Sequence, residues 1–83
     1  MIGDSVVTPD ASLDARDLLC PLPVLKTRKA LKPLEGGKVL RVQTTDPKSP
    51  SDMAAFIEAT GHELIACQIS KAPYEFFIKK VVA

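Results

Sequence analysis

Seven prolines punctuate this 83-residue chain. Proline fixes φ and lacks an N–H, so it is tolerated in the first turn of a helix and in turns, and excluded from helix interiors and central strands. Each proline therefore marks a boundary. Pro9 closes a stretch without hydrophobic period, and the first ten residues read as a tail. Pro33 and Pro47 end segments, Pro50 opens one, and Pro73 lies in a link. Pro21 and Pro23 stand two residues apart at the head of an apolar run, LLCPLPVLK, directly after a cysteine.

Between these marks the elements follow from period. ASLDA, Ala11 to Ala15, alternates and suits a short strand. From Pro21 the period is helical, with Val24, Thr27 and Leu31 forming a stripe that Leu25 and Ala30 widen. Lys26, Lys29 and Lys32 occupy the other side, and Pro33 stops the helix. Gly36-Gly37 is a turn. VLRVQTT, Val39 to Thr45, is a strand with Leu40 and Val42 inward. In SPSDMAAFIEATG, Ser49 reads as the cap, Pro50 as the first helical residue and Asp52 as the partner in a capping box. Met53, Phe56, Ile57 and Thr60 form its buried stripe, and Gly61 its exit. HELIACQIS and YEFFIKKVV are two strands joined through Lys71-Ala72-Pro73, hence a hairpin.

The order β-α-β-α-β-β predicts a two-layer α/β (α+β) sandwich: a mixed four-stranded sheet with both helices on one face. Residues 11–83 make one domain. A chain this short buries only about 60–65% of its unfolded surface. One thin core leaves no room for an enclosed substrate pocket, so chemistry belongs on the surface.

Charge and composition narrow the function. The net charge is +1, which disfavours a chain built to hold nucleic acid by its backbone. No stretch reaches the roughly 20 apolar residues of a membrane span, and the N-terminus lacks the pattern of a secretory signal. Two cysteines 47 positions apart are no disulfide framework, and the expected compartment is the cytoplasm, where thiols stay reduced. Two cysteines and one histidine lack metal-ligand spacing, so neither metal nor cofactor is expected.

The chemistry then falls to Cys20. Pro21 suits a first helical position, and Pro23 still lies within the first turn, where N–H groups have no intrahelical acceptor. The prolines thus fix a helix start and leave Cys20 at its N-cap. Partial positive charge there favours thiolate over thiol. Arg16 and Arg28 are candidate contributors, and anion stabilisation is expected from the N–H groups of Leu22 or Val24. There is no Cys-x-x-Cys for dithiol exchange, and His62, at the exit of the second helix, reads as a surface residue. A reactive thiol without a base or enclosed pocket points to a carrier, and sulfane sulfur is the natural cargo.

LDARDLLCPLPVLKTRKAL resembles the start of the TusA/SirA-like sulfur-carrier family, whose hallmark is Cys-Pro-x-Pro opening the first helix. The resemblance runs on through GGKVLRVQTTDP, GHEL and YEFFIKK, residues 11 to 80. It implies a fold similar to the C-terminal domain of translation initiation factor 3. It also implies a persulfide on Cys20, accepted from a cysteine desulfurase or another sulfurtransferase and passed to a downstream acceptor protein. Destinations in the family include tRNA thiolation, molybdenum cofactor assembly and sulfur oxidation. Cys20, Pro21 and Pro23 match the motif, with Arg28, Lys29 and Asp46-Pro47 as weaker matches. Where the family often has glycine, this chain has Asp17, whose charge near Cys20 is expected to oppose thiolate formation.

Leu18 and Leu19 make the approach to the thiol apolar, and Lys26, Arg28, Lys29 and Lys32 fall within seven residues, which together suit docking of an acidic partner. Cys67 reads as a strand residue without chemistry, the alternatives being a resolving thiol or a contact on the far sheet face. The expected state is a monomer. The competing classes are an RNA-binding module, using Phe77 on the open sheet face for stacking, and a regulatory protein-interaction module independent of either cysteine.

Overall fold

The computed structural model describes residues 8–82. The elements are β1 (Ala11–Ala15), α1 (Leu22–Leu31), β2 (Val39–Thr44), α2 (Ser49–Thr60), β3 (Glu63–Gln68) and β4 (Tyr74–Lys79). The strands form one sheet in the order β1-β2-β4-β3. β1 runs parallel to β2, and β4 is antiparallel to both β2 and β3. The mixed sheet, the hairpin and the helix–sheet layering agree with the sequence expectation. Of the ten residues read as a tail, 1–7 lie outside the described residues. Asp10 does not belong to it: its N–H donates to the Val39 carbonyl and its carboxylate accepts the Val39 N–H, both at 2.8 Å.

Strand alternation sorts the sheet into two faces. Leu40, Val42, Phe76 and Ile78 point toward the helices and are at most 1% exposed. Leu31 of α1 and Met53 and Phe56 of α2 close over them, with Ala15 at the end of β1. The opposite face carries Arg41, paired with Glu75, and Gln43, which donates to the same carboxylate. Phe77 sits opposite Arg41 on that face and is half-buried.

Four local expectations need correction. α1 begins at Leu22 with Pro21, not Cys20, at the N-cap. Its buried residues are Pro23, Thr27 and Leu31, while Leu25 is 51% exposed. The Thr27 hydroxyl explains its place in the core, since it donates to the Pro23 carbonyl at 2.8 Å. α2 begins one residue earlier than the capping-box reading requires: Lys48 is the N-cap, its own side chain makes no capping bond, and the Ser49 hydroxyl is buried without a partner. Asp46 does the capping instead, its carboxylate accepting the Lys48 N–H and its carbonyl the Ser49 N–H, each at 2.9 Å. Asp52 is thereby released from a capping role. Thr60 is exposed rather than buried, and Gly61 ends the helix at φ 81° as expected.

Cys67 lies on β3, an edge strand, opposite Phe76. That register gives it the helix-side face of the sheet, not the open one, yet at the edge it is exposed. A register shift between Leu64 and Ala66 sets this phase.

Candidate functional site

Because β1 and β2 are parallel, their C-terminal ends lie side by side, and the chain leaves both at the same edge of the sheet. The loop after β1 carries Asp17 to Cys20, and the loop after β2 carries Thr45 to Lys48. Two hydrogen bonds join the loops. The Asp17 N–H donates to the Thr45 hydroxyl at 2.8 Å, and the Cys20 N–H donates to the Asp46 carboxylate at 2.5 Å. Asp17 adopts φ 65°, left-handed geometry that aspartate tolerates better than most residues. The Cys20–Pro21 peptide is cis.

The thiol is exposed at one end of an open hollow of about 300 Å³ between α1 and α2. Pro21, Val24 and Arg28 line it from α1 and the turn before it, and Asp52, Ala55 and Phe56 from α2. The Arg28 guanidinium lies over the Phe56 ring, 5.5 Å from its centre. The hollow is shallow and mostly apolar, in keeping with a core too thin to enclose a substrate.

The electrostatics differ from the expectation. The Asp52 carboxylate, which lines the same hollow as the thiol, pushes the Cys20 pKa up; desolvation and the charge of Asp46 push the same way, and Lys48 opposes them. Helix-end charge is about half an elementary charge spread over several N–H groups, whereas Asp52 brings a full negative charge. Cys20 also stands one residue outside the helix, and the Leu22 N–H is already donated to the Leu19 carbonyl at 2.8 Å. These influences act against the thiolate that a helix N-cap was expected to favour. Asp17 is not among the charges that act on it. Arg16 is engaged elsewhere, its Nε and Nη2 donating to the two carboxylate oxygens of Asp14, each at 2.9 Å. That ion pair holds the Asp14 carboxyl down at about 2.

Of the residues picked out in the sequence, Cys20, Pro21 and Arg28 meet in the hollow, and Pro23 is buried beneath it in the first turn of α1. Leu18, also expected at the docking surface, is half-buried and packs against the core. Leu19 is 70% exposed and Leu22 43%, and Leu25, which the helical stripe placed on the buried side, is 51% exposed. Lys26 and Lys29 are exposed on α1, and Lys32 lines a separate cavity. Sequence reasoning missed Asp52 and understated Asp46. The signal for both was available in the order β-α-β-α, which brings the loops after two parallel strands to one sheet edge, the usual site of ligands in such folds.

No helix among the described residues is long and apolar enough to cross a membrane. The pattern of the family described as sulfurtransferase TusA matches residues 11–80. The sulfur carrier protein TusA of Allochromatium vinosum is 44% identical over 71 residues, 86% of this chain and 93% of that protein. YrkF of Bacillus subtilis, named as a candidate sulfur carrier, is 38% identical over 82% of this chain and 37% of its own length. The crystal structure of a SirA-like protein from Desulfitobacterium hafniense superposes with a TM-score of 0.72 at 26% identity, covering 87% of this chain and 99% of that one.

Proposed function

Starting from the fact that this chain belongs to the TusA sulfurtransferase family, we propose that Cys20 carries sulfane sulfur as a persulfide between proteins. The observation that carries this reading is the placement of an exposed thiol on an open hollow beside Asp52 and Arg28. An open site suits hand-off between proteins, where both partners must reach the sulfur.

In the accepting step the Cys20 sulfur attacks the terminal sulfur of a donor cysteine persulfide. The donor S–S bond breaks, the Cys20 S–S bond forms, and the donor cysteine leaves as a thiolate. The Cys20 proton passes to that leaving thiolate, with the Asp52 carboxylate in the same hollow able to hold it on the way. No net oxidation occurs. The donor is a cysteine desulfurase or another sulfurtransferase, and the acceptor is a downstream protein in tRNA thiolation, molybdenum cofactor assembly or sulfur metabolism. Exposed Leu19 and Leu22 give docking an apolar centre, flanked by Lys26 and Lys29 for an acidic partner. The carrier works as a monomer in the cytoplasm.

Incubation with a cysteine desulfurase and cysteine, followed by intact mass measurement, tests the proposal. The expected result is a gain of one sulfur atom that reductant reverses and that Cys20→Ser abolishes. Sulfur on Cys67 alone, or none with several donors, overturns it.

A further inference from the structure

A second cavity, of about 160 Å³, lies further along the helix pair than the thiol and shares Arg28 and Phe56 with its hollow. Its lining is Arg28, Leu31 and Lys32 from α1, Phe56 and Thr60 from α2, and His62 and Lys80 from the segments flanking β3 and β4. Three of these are permanent cations at neutral pH, and none is a carboxylate.

The polar groups are held rather than loose. Arg28 rests on the Phe56 ring, and the His62 ring approaches the same ring at 6.1 Å with a tilt of 43°. His62 Nδ1 accepts the Val81 N–H at 3.1 Å, so the neutral imidazole carries its proton on Nε2 and is a donor there. The Lys80 ammonium donates to the carbonyls of Leu31 and Lys32 at 2.8 and 3.0 Å. Those bonds cover the negative end of α1 and use two of its three protons. The Thr60 hydroxyl donates to the Phe56 carbonyl at 2.7 Å. What remains for an occupant is a set of donors: the Arg28 guanidinium, the Lys32 ammonium, one Lys80 N–H and His62 Nε2–H. Burial, and after it the charge of Lys80, lower the His62 pKa.

We propose that this cavity is a binding site for a phosphate dianion, either inorganic phosphate or the phosphate of a small monoester. Donors drawn from α1 and its C-cap, the turn after α2 and the chain beyond β4 match a tetrahedral group better than a planar carboxylate. Three cations more than offset its two charges.

His62 is the only histidine in the chain, so its ring proton resonances report on the site directly. Proton NMR titration of the full chain, with and without inorganic phosphate at constant ionic strength, should show saturable binding. Bound dianion should raise the His62 pKa by about one unit. Lys32→Glu, a change at an exposed position, should weaken binding by about tenfold or more. Lys71→Glu, in the β3–β4 loop away from the cavity, should leave it unchanged, with amide dispersion verifying that both variants are folded. No shift, or one that chloride reproduces, overturns the site. Movement of His62 by a short RNA oligomer but not by inorganic phosphate overturns the small-dianion assignment and assigns the cavity to a nucleic acid backbone.

Discussion

The carboxylate of Asp46 accepts the backbone N–H of Cys20 across 26 positions of sequence, while its other oxygen accepts the Lys48 N–H at the start of α2. One side chain thus ties the loop that bears the thiol to the helix that bears Asp52. Asp46 is only 8% exposed, and the two N–H groups hold its carboxyl below the usual range. A carboxylate bound this way is part of the site's frame, and its charge is also felt by the thiol.

Asp46→Asn should therefore lower the thermal unfolding midpoint by several degrees at neutral pH. A depressed folded-state pKa contributes stability above the ordinary carboxylate value and loses it as pH falls through the folded value. The gap between wild type and variant should be steady from pH 7 to about 5 and narrow below about pH 4. Asp14, held at about 2 by Arg16, titrates in the same region but in both proteins. Thermal melts across pH check this, and a gap that widens in acid contradicts it.

Much of the frame was legible from proline placement and hydrophobic period, because both report on backbone geometry within a few residues. β1, the β3–β4 hairpin and the Gly61 exit needed nothing else. The site's chemistry was less legible. Asp52 lies three residues after Ser49, and that spacing matches a capping box; only the tertiary tie through Asp46, which starts α2 a residue earlier, frees the carboxylate for the thiol. Leu25 fits the helical stripe by period, but α1 buries a narrower face through Pro23, Thr27 and Leu31. A short helix on a four-stranded sheet covers less than its pattern allows.

Asp17 separates backbone from charge. Its φ of 65° excludes β-branched residues, so Asp17→Val should cost about 1–2 kcal/mol of stability. Asp17→Gly keeps the geometry and the N–H donated to Thr45, and should be close to neutral, since glycine also loosens the unfolded chain. Neither should change the pH profile of Cys20 alkylation, because the charges on the thiol come from Asp52, Asp46 and Lys48. Denaturant unfolding and iodoacetamide kinetics measure the two effects separately.

Leu19 tests the docking surface. At 70% exposure it contributes little to the fold, so Leu19→Asp should leave the unfolding midpoint unchanged. If the donor seats on this apolar edge, sulfur transfer to Cys20 should slow by roughly tenfold, the equivalent of about 1.4 kcal/mol. Alkylation by a small reagent, which needs no docking, should slow far less, only as far as the added carboxylate beside Cys20 lowers the thiolate fraction. Equal transfer rates for variant and wild type would remove Leu19 from the interface.

Asp52 decides how the thiol behaves before a partner arrives. Alkylation follows the thiolate fraction, and a raised pKa means that Cys20 in the free protein reacts more slowly at neutral pH than an unperturbed cysteine. In a Cys67→Ser background, which removes the other exposed thiol, Asp52→Asn deletes the largest cause of the shift. The midpoint of the alkylation profile should then move to lower pH, and the rate at pH 7 should rise. Asp46→Asn should move it the same way but less, as the weaker of the two negative influences. Lys48→Gln should move it to higher pH, because that ammonium is the one neighbour acting to lower the pKa. The three signs together distinguish carboxylate control of the thiol from control by the helix end. Under helix-end control Asp52→Asn would leave the midpoint where it stands.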